Sequence, residues 1–230
     1  MYVEQLWRYP VKSMKGEALT SAEIALDGIV GDRMVHVRNS RGLVTARRTP
    51  ALLGLAATTG PDDRILVSGL PWQDLQVQEL VRQAVGPDGH LVAFDGPERF
   101  DVLPLLIATD GAIAAFGRDG RRLRPNIVIG GVEGLAEREW EGSAMMIGPV
   151  VVRLDSLRQR CIMTTYDPDT LERDGGVLRD IHRRFGGALA LNTSVVVQGR
   201  ISLGDRVRLL TEAELETLPR APQPASMPIS

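Results

Sequence analysis

Residues 149–170 read PVVVRLDSLRQRCIMTTYDPDT, a passage from alternation to punctuation that sets the character of the whole chain. Val150, Val152 and Leu154 alternate with their neighbours, which predicts a strand over 149–154. The polar run 155–159 predicts a bend that presents Cys161 beyond it, and Asp167-Pro168-Asp169 reads as a turn.

Outward from this stretch the same grammar recurs. An aromatic and β-branched run, Tyr2–Arg8, is a first strand stopped by Pro10. Strands follow at 21–26, 34–37, 43–46, 52–58, 64–67 and 90–94, with a short helix at 77–85. Short strands with turn signals this regular argue for a barrel-like β architecture. After Asp101 an apolar run over 102–108 leads to Thr109, a cap for a helix over Asp110–Phe116. Arg118, Arg121, Arg122 and Arg124 then crowd before Pro125-Asn126 and a strand at 127–129. A helix spans Gly175–Phe185, with Leu178, Ile181 and Phe185 on one side. Strands at 194–198 and 206–210, joined by a connection over 199–205, precede a short helix at 211–218. The proline-punctuated end, 219–230, reads as a disordered tail, so the last domain closes near residue 212.

Composition removes several classes of function. The chain has 230 residues and a formal charge of -2, with 27 Lys and Arg against 29 Asp and Glu, so no global field favours nucleic acid or an anionic membrane. One cysteine excludes an internal disulfide and suits a reducing cytoplasm. The first residues lack a secretory pattern, and no apolar run reaches bilayer length, so a cytoplasmic protein is expected. Lysine occurs only at Lys12 and Lys15, in YPVKSMKG. Either this is clustering in an arginine-biased chain, or the loop needs a compact ammonium that a guanidinium does not replace.

Cys161 follows directly after Arg158 and Arg160, which favour a thiolate if their charged ends point the same way. A thiolate serves as nucleophile or metal ligand; the alternative is a small buried hydrophobe. The arginines before Pro125 are either a solvated face or an anion site. His36, His90 and His182 are scattered, with no pair at ligand spacing to Cys161, which argues against a Cys/His zinc site.

Four segments in order, YPVKSMKG, GIVGDR, RLRPNIVIGG and RCIMTTYDPDT, resemble the MOSC family, the molybdenum-cofactor sulfurase C-terminal type of domain, preceded by that family's N-terminal β-barrel domain. The resemblance spans about residues 2–210. It implies a mainly β fold with a few helices (α+β): an N-terminal barrel over 1–95 and a MOSC barrel over 96–212, into which the first strand of the chain pairs. It also implies a molybdenum–molybdopterin cofactor between them, with Cys161 as catalytic residue and metal ligand. Lys12 and Ser13 match the family's phosphate-binding loop, Arg33 an arginine that reaches the cofactor, and Arg124 and Asn126 positions that face the pterin. Arg47, Thr109, Asp110 and Arg122 are further cofactor neighbours.

The implied activity is reduction of small N-hydroxylated compounds by oxygen removal. A separate ferredoxin, flavoprotein or cytochrome b5 type of protein would supply the electrons. Rival readings are a non-catalytic carrier of cofactor or of sulfur on Cys161, and a pyridoxal-phosphate or C–S bond enzyme using Lys12 or Lys15. Two positions depart from the family: Met14 stands where a cysteine is common, and Tyr166 where a small aliphatic is usual.

Overall fold

A computed structural model describes residues 1–94 and 99–217, and it is mostly β. The first half of the chain runs β1 (Tyr2–Arg8), β2 (Glu17–Leu19), β3 (Ser21–Ala25), β4 (Gly28–Ile29), β5 (Val35–Asn39), β6 (Gly42–Val44), β7 (Ala57–Thr59), β8 (Ile65–Val67), β9 (Leu70–Pro71), α1 (Leu75–Val85) and β10 (His90–Ala93). The second runs β11 (Leu105–Thr109), α2 (Asp110–Phe116), β12 (Ile127–Gly130), β13 (Ala144–Ile147), β14 (Val150–Gln159), α3 (Gly175–Phe185), β15 (Ala188–Val197), β16 (Gly199–Ser202), β17 (Val207–Leu209) and α4 (Glu212–Thr217).

The largest sheet has eight strands in the order β17-β13-β14-β15-β11-β12-β1-β2. Its one parallel pair, β11 with β12, needs a crossover, and α2 provides it. Thr109 ends β11 and caps α2, its side-chain oxygen accepting from the Ala112 amide. β1 belongs to this sheet, pairing Leu6 with Ile127 of β12 on one side and with Leu19 of β2 on the other. Leu6, Ile107, Ile127, Val152 and Leu191 form its core. Each such side chain taken from water contributes about 1.5–3 kcal/mol.

A second core gathers Val11, Met14, Val35, Val37, Leu52, Val77 and Val81, beneath the three-stranded sheets β10-β5-β6 and β7-β8-β9. Residues 9–15 leave β1 and run into that core, so the loop carrying both lysines is the seam between the two halves.

Several elements differ from the sequence reading. There is no bend at 155–159: β14 continues to Gln159 because β15 follows it with three register shifts, each accommodating an irregularity without ending the ladder. The expected strand over 52–58 is a 3₁₀ turn, Pro50–Gly54, followed by β7; Pro50 opens the turn where its missing N–H costs nothing. The connection at 199–205 contains β16, which pairs with β3, and β13 stands in a stretch with no assigned strand. α3 buries Val177 with Ile181 and Phe185, leaving Leu178 half-buried. The tail reading at 219–230 lies outside the described residues.

Candidate functional site

β14 delivers the chain to Arg160 and Cys161 just past its end. Cys161 is extended and opens the 3₁₀ turn Ile162–Thr165, whose Thr164 returns both its amide (3.1 Å) and its hydroxyl (2.9 Å) to the Cys161 carbonyl. Downstream, Asp167 Oδ1 accepts from the amides of Asp169 and Thr170, both at 3.0 Å, which fixes the turn after Tyr166. Asp167 Oδ2 accepts from Arg122 Nη2 at 2.9 Å, tying this turn to the arginine-rich segment.

The seam loop is zipped to the segment before β5. The Lys12 amide donates to the Val35 carbonyl (2.8 Å) and the Arg33 amide to the Tyr9 carbonyl (2.8 Å). Three non-glycine residues here hold left-handed backbone: Ser13 (φ 71°), Arg33 (φ 54°) and Arg124 (φ 53°). Such conformations cost energy and persist where surrounding structure enforces them, often at ligand sites.

These segments border a single cleft. Lys12, Arg33, Arg47, Arg122, Arg124, Arg158 and Arg160 line it, together with Ser13 and Cys161; among the lining residues the one carboxylate is Asp101. Asp101 accepts ion pairs from Lys12 (3.0 Å), Arg47 (2.7 Å) and Arg158 (3.3 Å). Burial works to raise its carboxyl, but Lys12 and Arg47, with Arg158 behind them, outweigh it and hold Asp101 below the usual carboxylate range.

Arg124 donates from Nη2 to the Met14 carbonyl (2.7 Å), and its guanidinium lies 4.2 Å from the centre of the Tyr9 ring. Tyr9 is buried and donates its hydroxyl to the Pro125 carbonyl; burial pushes that hydroxyl's pKa up to about 12. Arg160 donates from Nη2 to the Leu123 carbonyl (2.6 Å), yet its Nε and Nη1 are buried with no hydrogen-bond partner. Burial and the charge of Arg158 lower its pKa to about 10. A buried cation with two idle donors is costly unless an acceptor meets it.

Of the sequence-predicted residues, Lys12, Ser13, Arg33, Arg47, Arg122, Arg124 and Cys161 line this cleft. Three others do not. Asn126 is buried beside it, lining a smaller neighbouring cavity. Its amide nitrogen donates to the Trp7 carbonyl (3.3 Å) and Asp32 (3.4 Å), and its oxygen accepts from the Leu106 amide (3.2 Å), so it knits β1 to β11. Thr109 is fully buried, its hydroxyl donating to Glu137 Oε2 and accepting from the Ala112 amide. Asp110 accepts from the amides of Gly111, Gly131 and Val132. Both are used in closing the β11–α2 corner. Sequence reasoning missed Asp101, and it left the direction of Arg158 and Arg160 open. The cleft takes both arginines. Asp101 carried no local signal, because its partners come from three distant segments.

A cationic cradle with one thiol, set between two β-rich halves, has the donor set of a protein that binds a multiply anionic ligand. Family comparisons make that class specific. Residues 1–95 match the MOSC N-terminal beta barrel domain, and residues 113–208 match the MOSC domain. The chain belongs to the MOSC family. Mitochondrial amidoxime-reducing component 1 of Homo sapiens is 29% identical, covering 73% of this chain and 67% of that protein. Its Mus musculus counterpart is 28% identical, covering 73% and 66%. The chain thus spans about two thirds of the length of these relatives. In fold it is similar to the YUAD protein from Bacillus subtilis, at a TM-score of 0.50 and 15% identity, over 90% of this chain and 94% of that one. Among the described residues no helix is long and apolar enough to cross a membrane.

Proposed function

We propose that the cleft holds a molybdenum–molybdopterin cofactor and that the protein reduces small N-hydroxylated compounds, with electrons from a separate ferredoxin, flavoprotein or cytochrome b5 type of protein. The observation that carries this reading is the union, in one cleft, of the chain's single cysteine with seven cations and one carboxylate. The amidoxime-reducing relatives support it.

The residues fit such a group. Its phosphate suits Lys12 and Ser13 at the seam, where charge-assisted donors sit on a loop held in an unusual conformation. Arg33, Arg122 and Arg124 offer planar donors toward a pterin. The idle Nε and Nη1 of Arg160 are the acceptor-seeking atoms nearest in sequence to Cys161. Cys161 provides one soft sulfur donor for molybdenum, the remaining sulfur donors belonging to the cofactor. When bound, the cofactor supplies the two-electron oxygen-removal chemistry. The protein's own part is to fix the group, neutralise its charge and keep Cys161 at the cleft surface.

The test is metal analysis by mass spectrometry with pterin fluorescence, on wild type and Cys161→Ala from a host that makes the cofactor. Turnover is then measured on a panel of N-hydroxylated substrates with a chemical reductant. Stoichiometric molybdenum in wild type, lost in the variant, together with repeated turnover, is the expected result. Molybdenum without turnover makes the protein a carrier instead. Neither metal nor pterin, in a host that loads a control enzyme, ends the proposal.

A further inference from the structure

Back to back with the cationic cleft is a second pocket, and its chemistry is different. Trp7, Tyr9, Leu53, Met163, Tyr166 and Pro168 give it three aromatic rings and an apolar floor. Cations also border it, but each already has a partner. Lys15 and Arg121 both pair with Asp169, at 2.9 Å and 2.6 Å, Arg122 with Asp167, and Arg124 with the Met14 carbonyl and the Tyr9 ring. With those charges engaged, the cavity presents ring faces and aliphatic stems.

Gly16 makes its shape possible: a Cβ there would lie 2.5 Å from Tyr9 Cδ1 and from the Arg8 carbonyl oxygen, displacing the Tyr9 ring that forms one wall. Arg122, Arg124 and Met163 line both cavities, and Met163 is two residues from Cys161.

We infer that this chamber receives the flat, uncharged aryl or heteroaryl body of the substrate, with Tyr166 as a specificity-determining wall, while the N-oxygenated head lies across Met163 toward Cys161. The inference rests on the reductase reading for the identity of the head group. The recognition of the ring rests on the chamber alone, since aromatic faces and a polarizable thioether favour a planar apolar guest over an aliphatic or charged one.

Two measurements test it. In cofactor-loaded protein, kcat/KM is compared for benzamidoxime and acetamidoxime, which share a head group and differ by the ring. In cofactor-free protein, binding of benzamide is followed by ligand-observed NMR. Tyr166→Leu removes the ring face and leaves a smaller apolar side chain, and Tyr166→Phe keeps the ring. The expected result is a fall of roughly tenfold in the benzamidoxime to acetamidoxime ratio for Tyr166→Leu, with weakened benzamide binding, both restored in Tyr166→Phe. A ratio that Tyr166→Leu leaves unchanged, with both amidoximes turned over, overturns the chamber and spares the reductase. No turnover of either amidoxime, with Tyr166-dependent benzamide binding, overturns the reductase and keeps the ring site. If Tyr166→Leu does not fold, Met163→Ala takes its place in both measurements, and an unchanged ratio there overturns the chamber in the same way.

Discussion

Asp101 is an acid in a cradle of cations, and it shows how one side chain organises a site. Its carboxylate gathers Lys12 from the seam loop, Arg47 from beyond β6 and Arg158 from β14. Because its folded pKa is depressed, its stabilising contribution is present above the unfolded value near ~3.9 and is lost as pH falls through the folded one. Asp101→Asn should therefore cost about 1–2 kcal/mol at pH 7, as three cations lose their shared partner, and progressively less as pH falls below the unfolded value. Urea denaturation over a descending pH series measures this; a loss that stays constant throughout would mean that packing, not charge, is the cause. Residue identity was legible where a motif was local. Lys12, Ser13, Arg33, Arg124 and Cys161 sit in short, recognisable segments, and the fold brings them to one cleft. Asn126, Thr109 and Asp110 sit in equally recognisable segments, but their polar atoms are spent on backbone amides and carbonyls and on the carboxylates of Asp32 and Glu137, which only the three-dimensional arrangement reveals.

At the scale of elements, strong periodicity was read well. β1 and α3 have the bounds that alternation and helical spacing predict, and α2 starts at the cap that Thr109 promises. Polar strand ends were not legible. Residues 155–159 look like a bend because Asp155, Ser156 and Arg158 are polar, yet β15 pairs with them through irregular register. β15 in turn begins at a double glycine that ends α3, and the Gly187 carbonyl accepts the Arg160 amide at 2.9 Å. Both glycines have positive φ, 62° at Gly186 and 85° at Gly187, but their surroundings differ. A Cβ at Gly186 meets nothing within 4 Å; one at Gly187 would lie 2.9 Å from His182 Nδ1 and 3.0 Å from Gln159 Oε1. Gly186→Ala should cost about 1 kcal/mol, the left-handed penalty alone. Gly187→Ala should cost roughly twice that and also disturb the backbone that holds Arg160 beside Cys161. Thermal melts give the first comparison, and the alkylation rate of Cys161 by iodoacetamide gives the second. An unchanged rate in Gly187→Ala would show that the glycine serves the helix end and not the cleft.

The whole molecule hides its field. A formal charge of -2 suggests near neutrality, but seven cations and one carboxylate face a single cleft, so the rest of the chain is net acidic. The sequence spread those cations over five segments, and only the folding of the seam loop, the segments around Arg33 and Arg47, the arginine-rich stretch and the end of β14 around one cleft concentrates them. Like charges held together destabilise the folded state unless an anion binds, and an anion that binds only the folded state stabilises it by mass action. Pyrophosphate at ten times its dissociation constant should contribute about 1.4 kcal/mol. For a chain of this size that corresponds to a rise in Tm of roughly 3–6 °C in cofactor-free protein. Sodium chloride at the same ionic strength screens the repulsion without bridging the donors, so its effect should be smaller. Lys12→Gln should remove most of the pyrophosphate increment while leaving the chloride effect in place. If chloride and pyrophosphate raised Tm equally, or if Lys12→Gln kept the full increment, the cleft would be a screened cationic surface and not a built anion site.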